Sequence, residues 1–89
     1  MQRLDAAAIE ACLRAALRPA EIAVVDDSHL HAGHAGAREG SHYTVRLRSE
    51  RFAGLARVAR HRLVYDALGP LAAQGVHALA IVAKTPDET

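Results

Sequence analysis

The side chains with most chemistry to offer are six histidines in a chain of 89 residues. Three of them, His29, His31 and His34, crowd the run Asp26-Asp27-Ser28-His29-Leu30-His31-Ala32-Gly33-His34-Ala35-Gly36. Imidazole is the commonest protein ligand for metals and titrates near neutrality. Spacings of two and three allow two of these rings to reach one ion from a loop. No cysteine or carboxylate cluster completes a tetrahedral set beside them, and a solvated loop whose histidines bind nothing is the commoner meaning of such composition. His42, His61 and His77 stand apart from the run. His42 lies on the wet side of an alternating segment and reads as a surface side chain. His61 sits in the basic run Arg57-Val58-Ala59-Arg60-His61-Arg62, beside a solvated helix face. His77 opens an otherwise apolar segment directly after Gly75-Val76, an unusual place for an imidazole, where a hydrogen-bonded structural role competes with ligation.

Other chemistries find less support. Ser28-His29 and Ser41-His42 are neighbours in sequence, which is no evidence of a nucleophile and its base. No glycine-rich phosphate loop followed by lysine is present, and a domain this small has little room for a concave pocket, so an enzyme is not expected. Cys12 is the only cysteine. One chain therefore offers neither an internal disulfide nor an all-cysteine site, in keeping with a reducing compartment. It flanks an apolar stripe as a small packing residue. The formal net charge is +1 with histidines neutral, too little to draw the whole molecule onto nucleic acid or anionic lipid. Arg57, Arg60 and Arg62, with His61, form a modest basic face able to meet phosphates or guanine edges. Gly33-His34-Ala35-Gly36 matches the glycine loop of KH domains in form, but it falls between strands and has no basic residue between its glycines.

The elements that must position these residues follow from periodicity. Residues 3–18 predict a helix: Ala6, Ile9, Leu13, Ala16 and Leu17 recur at helical spacing, Asp5 suits a cap or first-turn acid, and Pro19 stops it. Residues 21–25 predict a strand and residues 26–41 a long loop, a length that tends to be functional or disordered. Residues 42–48 alternate, with Tyr43, Val45 and Leu47 to one face, and predict a second strand antiparallel to the first. Phe52 is the expected core anchor in a turn over 49–54. Residues 57–68 predict a helix, Gly69-Pro70 breaks it, and residues 71–74 start a short further one. Residues 76–83 predict a strand apolar on both faces, expected at the centre of the sheet, before a polar tail over 84–89. The fold class is α/β (α+β): a single domain over residues 1–89 in the order α-β-β-α-α-β, with a three-stranded mixed sheet covered by helices on one face. Half the residues are hydrophobic, but only Tyr43, Phe52 and Tyr65 are aromatic, so the core is thin and aliphatic. Residues 1–5 lack a signal-peptide pattern, and no apolar run nears the roughly 20 residues of a membrane span. A soluble, cytoplasmic protein is expected.

Taken together, several blocks resemble the BolA family: Val24-Val25-Asp26-Asp27-Ser28-His29-Leu30-His31, Gly40-Ser41-His42-Tyr43, Ser49-Glu50-Arg51-Phe52-Ala53-Gly54, Arg60-His61-Arg62-Leu63-Val64-Tyr65, Val76-His77-Ala78-Leu79-Ala80-Ile81 and Lys84-Thr85-Pro86. The resemblance spans nearly the whole chain. It implies a fold similar to class II KH domains. It also implies a monothiol glutaredoxin as partner, with a [2Fe–2S] cluster bridging the two proteins. Glutaredoxin and glutathione would each supply a thiolate, and this chain the remaining ligands, with no cofactor expected in the isolated chain. Imidazole ligation of such a cluster raises its potential relative to thiolate. By the same resemblance His77 matches the family's C-terminal ligand. The loop ligand is His31 counted forward from Asp26-Asp27-Ser28, or His34 counted back from His42-Tyr43. His61 matches a family histidine that supports ligands or packs. The resemblance further implies a DNA-binding transcription regulator as the alternative, using Arg57, Arg60, His61 and Arg62, an analogy through fold.

Overall fold

The computed structural model describes residues 4–27 and 41–88, Ser41 by its backbone alone. Helix α1 spans Ala6–Leu17. Asp5 is its cap: the carboxylate accepts from the Ala8 N–H at 2.8 Å, satisfying one donor that the first turn leaves open. At the other end Pro19 denies Arg18 the right-handed helical region. Arg18 takes φ 46° instead and donates its N–H to the Arg14 carbonyl at 3.2 Å. The helix is thus shorter at both ends than residues 3–18, because a cap and a pre-proline residue each stand outside it. Ile9, Leu13 and Leu17 are its buried stripe. Cys12 beside them is half-buried and packs against the core.

Strand β1 (Glu21–Asp26) runs antiparallel to β2 (Ser41–Arg48), with Glu21 opposite Arg48 and Val24 opposite Val45. The hairpin is as expected, with each strand one residue longer, so the segment between them is 27–40. The Asp27 N–H extends the ladder to the His42 carbonyl at 2.7 Å. Tyr43, Val45 and Leu47 are buried while Arg46 is exposed, the period-two pattern of a sheet covered on one side. Ser49 then ties the sheet to α1. Its buried hydroxyl donates to the Leu17 carbonyl at 2.6 Å and accepts from the Arg51 N–H at 3.1 Å. This caps a 3₁₀ turn, Glu50–Phe52, that drives Phe52 into the centre of the core.

Helix α2 (Arg57–Leu68) buries Val64 and Leu68. The short helix expected over 71–74 is a 3₁₀ turn, Ala72–Gln74. Together they form the crossover that parallel pairing needs, and β3 (Val76–Lys84) lies parallel to β2. The sheet order is β1-β2-β3, which corrects the central place expected for residues 76–83: β2 is central and β3 is an edge. Hydrophobicity along a strand reports which faces are covered, whereas connectivity decides which strand is in the middle. Ala78, Ala80 and Val82 of β3 lie on the open face, and small apolar residues stand in water there at little cost. Both helices cover the inner face, where Ile9, Leu13, Val45, Phe52 and Val64 are fully buried in one cluster. Among the described residues, no helix is long and apolar enough to cross a membrane.

Candidate functional site

His77 owes its position to an irregularity in the sheet. Ser41 is opposite Val76 but His42 is opposite Ala78, so one step along β2 is matched by two along β3. That β-bulge leaves His77 with no partner in the register. It also reconciles the faces of β3. Val76 is buried, and Leu79, Ile81 and Ala83 pack on the same core. One extra residue between them leaves both His77 and Ala78 exposed. Bulges re-aim side chains in this way at the ends of strands. Gly75 prepares the entry: it takes φ 86° and donates its N–H to the Ala72 carbonyl at 3.2 Å, a conformation that a side chain would strain.

The re-aimed imidazole meets a second one. The rings of His42 and His77 have centroids 5.0 Å apart and planes inclined at 47°. His42 is half-buried. Asp27, next along, accepts from the Thr44 hydroxyl through its carboxylate. Among the described residues no three His, Cys, Asp or Glu side chains are grouped to hold a metal ion. His31 and His34, the two alternatives for a loop ligand, lie outside the described residues, as does His29. The structure therefore joins His77 to His42, which alternation alone had marked as plain surface. The missing signal is the parallel register with its bulge, and no local pattern carries it.

The basic face is divided. Arg57 and Arg62 are exposed and His61 is half-buried. Arg60 is held within the fold, its side chain only 14% exposed. Its Nε donates to the Leu55 carbonyl at 2.8 Å and Nη1 to the Ala83 carbonyl at 3.1 Å. The guanidinium fork grips the Glu88 carboxylate at 2.5 and 3.0 Å. The Thr85 N–H donates to the same carboxylate at 2.7 Å, and Arg48 donates to the Thr85 and Glu88 carbonyls. The segment expected to be a polar tail is thus fastened. Lys84 ends β3 and Thr85 is buried. Arg60 spends its donors on a C-terminal turn.

This clamp has a pH signature. The Arg60 bond, and then the Thr85 amide, hold the Glu88 carboxyl down at about 2, from an ordinary 4.5. A carboxyl lowered by folding stabilises the fold above its unfolded value and ceases to as pH falls through the folded one. The turn is expected to stay attached above about 4.5 and to release towards about 2. The Thr85 amide resonance, followed by NMR through acid, should move with the low midpoint, and Glu88→Gln should abolish that transition. A midpoint at the ordinary carboxylate value would show that no clamp forms.

These features define a small α+β domain that displays side chains from an irregular edge strand and one helix end. The chain belongs to the BolA family: the family model described as BolA-like protein matches residues 13–88. It is 43% identical over 81 residues to the chloroplastic protein BOLA1 of Arabidopsis thaliana, covering 86% of this chain and 51% of that one. It is 44% identical over 73 residues to the DNA-binding transcriptional regulator BolA of Escherichia coli (strain K12), covering 82% and 68%. The solved BolA domain of SufE1 from Arabidopsis thaliana superposes with TM-score 0.81 at 45% identity, over 94% of each chain. The chain spans about half the length of the plant BOLA1 protein it matches.

Proposed function

We propose that this chain is a non-enzymatic partner of a monothiol glutaredoxin, co-ligating a bridging [2Fe–2S] cluster through histidine in iron–sulfur trafficking or iron homeostasis. The observation that carries this reading is His77: exposed, aimed outward by a bulge, and on an edge strand where a second protein can approach it. An exposed imidazole on an edge strand leaves room for further donors from a second protein, which suits a cluster shared with the thiolates of a glutaredoxin and glutathione. His31 or His34 is the proposed loop ligand. The cluster would supply one-electron chemistry, at a potential raised by imidazole. We place the chain in the cytoplasm, in line with its single half-buried thiol; the plant relative is named chloroplastic, so compartment is not a constant of the family. The test is anaerobic reconstitution with a monothiol glutaredoxin, glutathione, iron and sulfide. A stable heterocomplex whose [2Fe–2S] spectrum differs from that of the glutaredoxin alone is expected. Failure to form any complex would overturn the reading.

A DNA-binding regulator is the second reading, favoured by the printed name of the Escherichia coli relative and by the exposure of Arg57 and Arg62 on the first turns of α2. His61 flanks them, and Arg60 joins only where Glu88 lets it go. Each phosphate neutralised adds about one unit to the slope of log affinity against log salt. Replacing Arg57 and Arg62 together by Ala is therefore expected to flatten that slope by about 2. Undetectable binding to duplex DNA at low salt would remove this reading.

A further inference from the structure

We infer that His42 is a positioning residue for His77: its imidazole packs on the His77 ring and holds that ring ready for iron. The inference rests on the cluster reading and adds a residue to it. An exposed histidine at a bulge is poorly restrained by its own backbone. His77 has no partner in the register, and the inward side chains on either side of it, Val76 and Leu79, point away into the core. The described contact on its ring is His42, with centroids 5.0 Å apart and planes at 47°. His42 is itself well seated. It lies on the central strand, is half-buried, and its carbonyl accepts the Asp27 N–H at 2.7 Å. A ring on the rigid middle strand thus buttresses a ring on the irregular edge strand.

The consequence is energetic as well as geometric. A free side chain loses rotamer freedom when it is captured by a ligand. A ring already packed against a neighbour has lost part of that freedom before the ligand arrives, so binding is tighter by the amount prepaid. Groups that hydrogen-bond a metal-ligating histidine and so fix its ring typically matter by 10–100-fold in metal affinity, and a packed ring restrains the same orientation. His42 fits that role by its ring contact, so a flat ring without nitrogens should replace it.

The test uses His42→Ala and His42→Phe in the full chain, each with two readouts. In the isolated chain, NMR should show ring-to-ring Overhauser contacts between residues 42 and 77 in the wild type and in His42→Phe. The His77 ring resonances should shift and average in His42→Ala. In the glutaredoxin complex, loss of the cluster to a chelator should be about tenfold faster for His42→Ala, near wild-type for His42→Phe, with the visible spectrum of both unchanged. If His42→Ala matches the wild type in both readouts, the inference is wrong. If His42→Ala and His42→Phe both alter the cluster spectrum as a lost ligand does, His42 ligates iron and the positioning role is wrong. A wild-type chain that shows the ring contact but loads no cluster would overturn the cluster reading, and with it the use proposed for the contact.

Discussion

Phe52→Ala is expected to cost about 3–5 kcal/mol of folding stability, the usual penalty for emptying a fully buried aromatic site. Phe52 has no exposed surface and is the largest of the fully buried side chains. Around the same cluster lie Ile9, Leu13, Val45 and Val64, contributed by α1, β2 and α2. They are aliphatic side chains on elements already fixed by the sheet and by the Ser49 bond to Leu17, so collapse into the space is limited. A domain of this size has about 5–15 kcal/mol in total, so one truncation removes a large share. Val58→Ala is the control: Val58 is 70% exposed on α2 and should change stability by less than about 0.5 kcal/mol. Urea unfolding followed by circular dichroism tests both, with the midpoint falling for Phe52→Ala at an unchanged slope. A loss under about 1 kcal/mol would mean that the neighbours close the cavity.

Phe52 also shows what kind of information a sequence carries. A lone phenylalanine between a strand and a helix has few places to go except the core, and it goes there. The same logic located β2, whose inward Tyr43, Val45 and Leu47 alternate with polar residues, and the stops at Pro19 and at Gly69-Pro70. These are local rules, enforced within a few residues. The place of β3 was not legible, because its alanines satisfy a buried face and an open one almost equally. Arg60 was misleading for a related reason. As a member of a basic run it suggests a phosphate contact, but its guanidinium is spent on Glu88, twenty-eight residues away. The His42–His77 contact likewise depends on a parallel register and one extra residue in β3. Of the candidate site, then, His77 stands out in the sequence as a histidine in an odd place and as the residue that the family resemblance implies. Its neighbour became visible only when two strands far apart in sequence were set side by side.

His77→Ala is expected to have the largest effect at the site, at least a tenfold faster loss of the cluster from the heterocomplex together with a changed absorption and circular dichroism spectrum. His77 is exposed on a bulge and outside the buried core, so the substitution should leave stability within about 0.5 kcal/mol. A lost cluster with an intact fold separates ligation from structure. His77→Cys sharpens the distinction. A thiolate at this position can bind iron but brings a negative charge where imidazole is neutral, so the cluster should remain and its reduction potential should fall. A structural role for His77 predicts no such difference, with both substitutions leaving spectrum and potential untouched. Were His77→Ala to load with the wild-type spectrum, His77 would no longer be a ligand, and its bulge would need another explanation. A cluster retained by cysteine, lost by alanine and shifted in potential between histidine and cysteine is the pattern that direct bonding from residue 77 to iron produces.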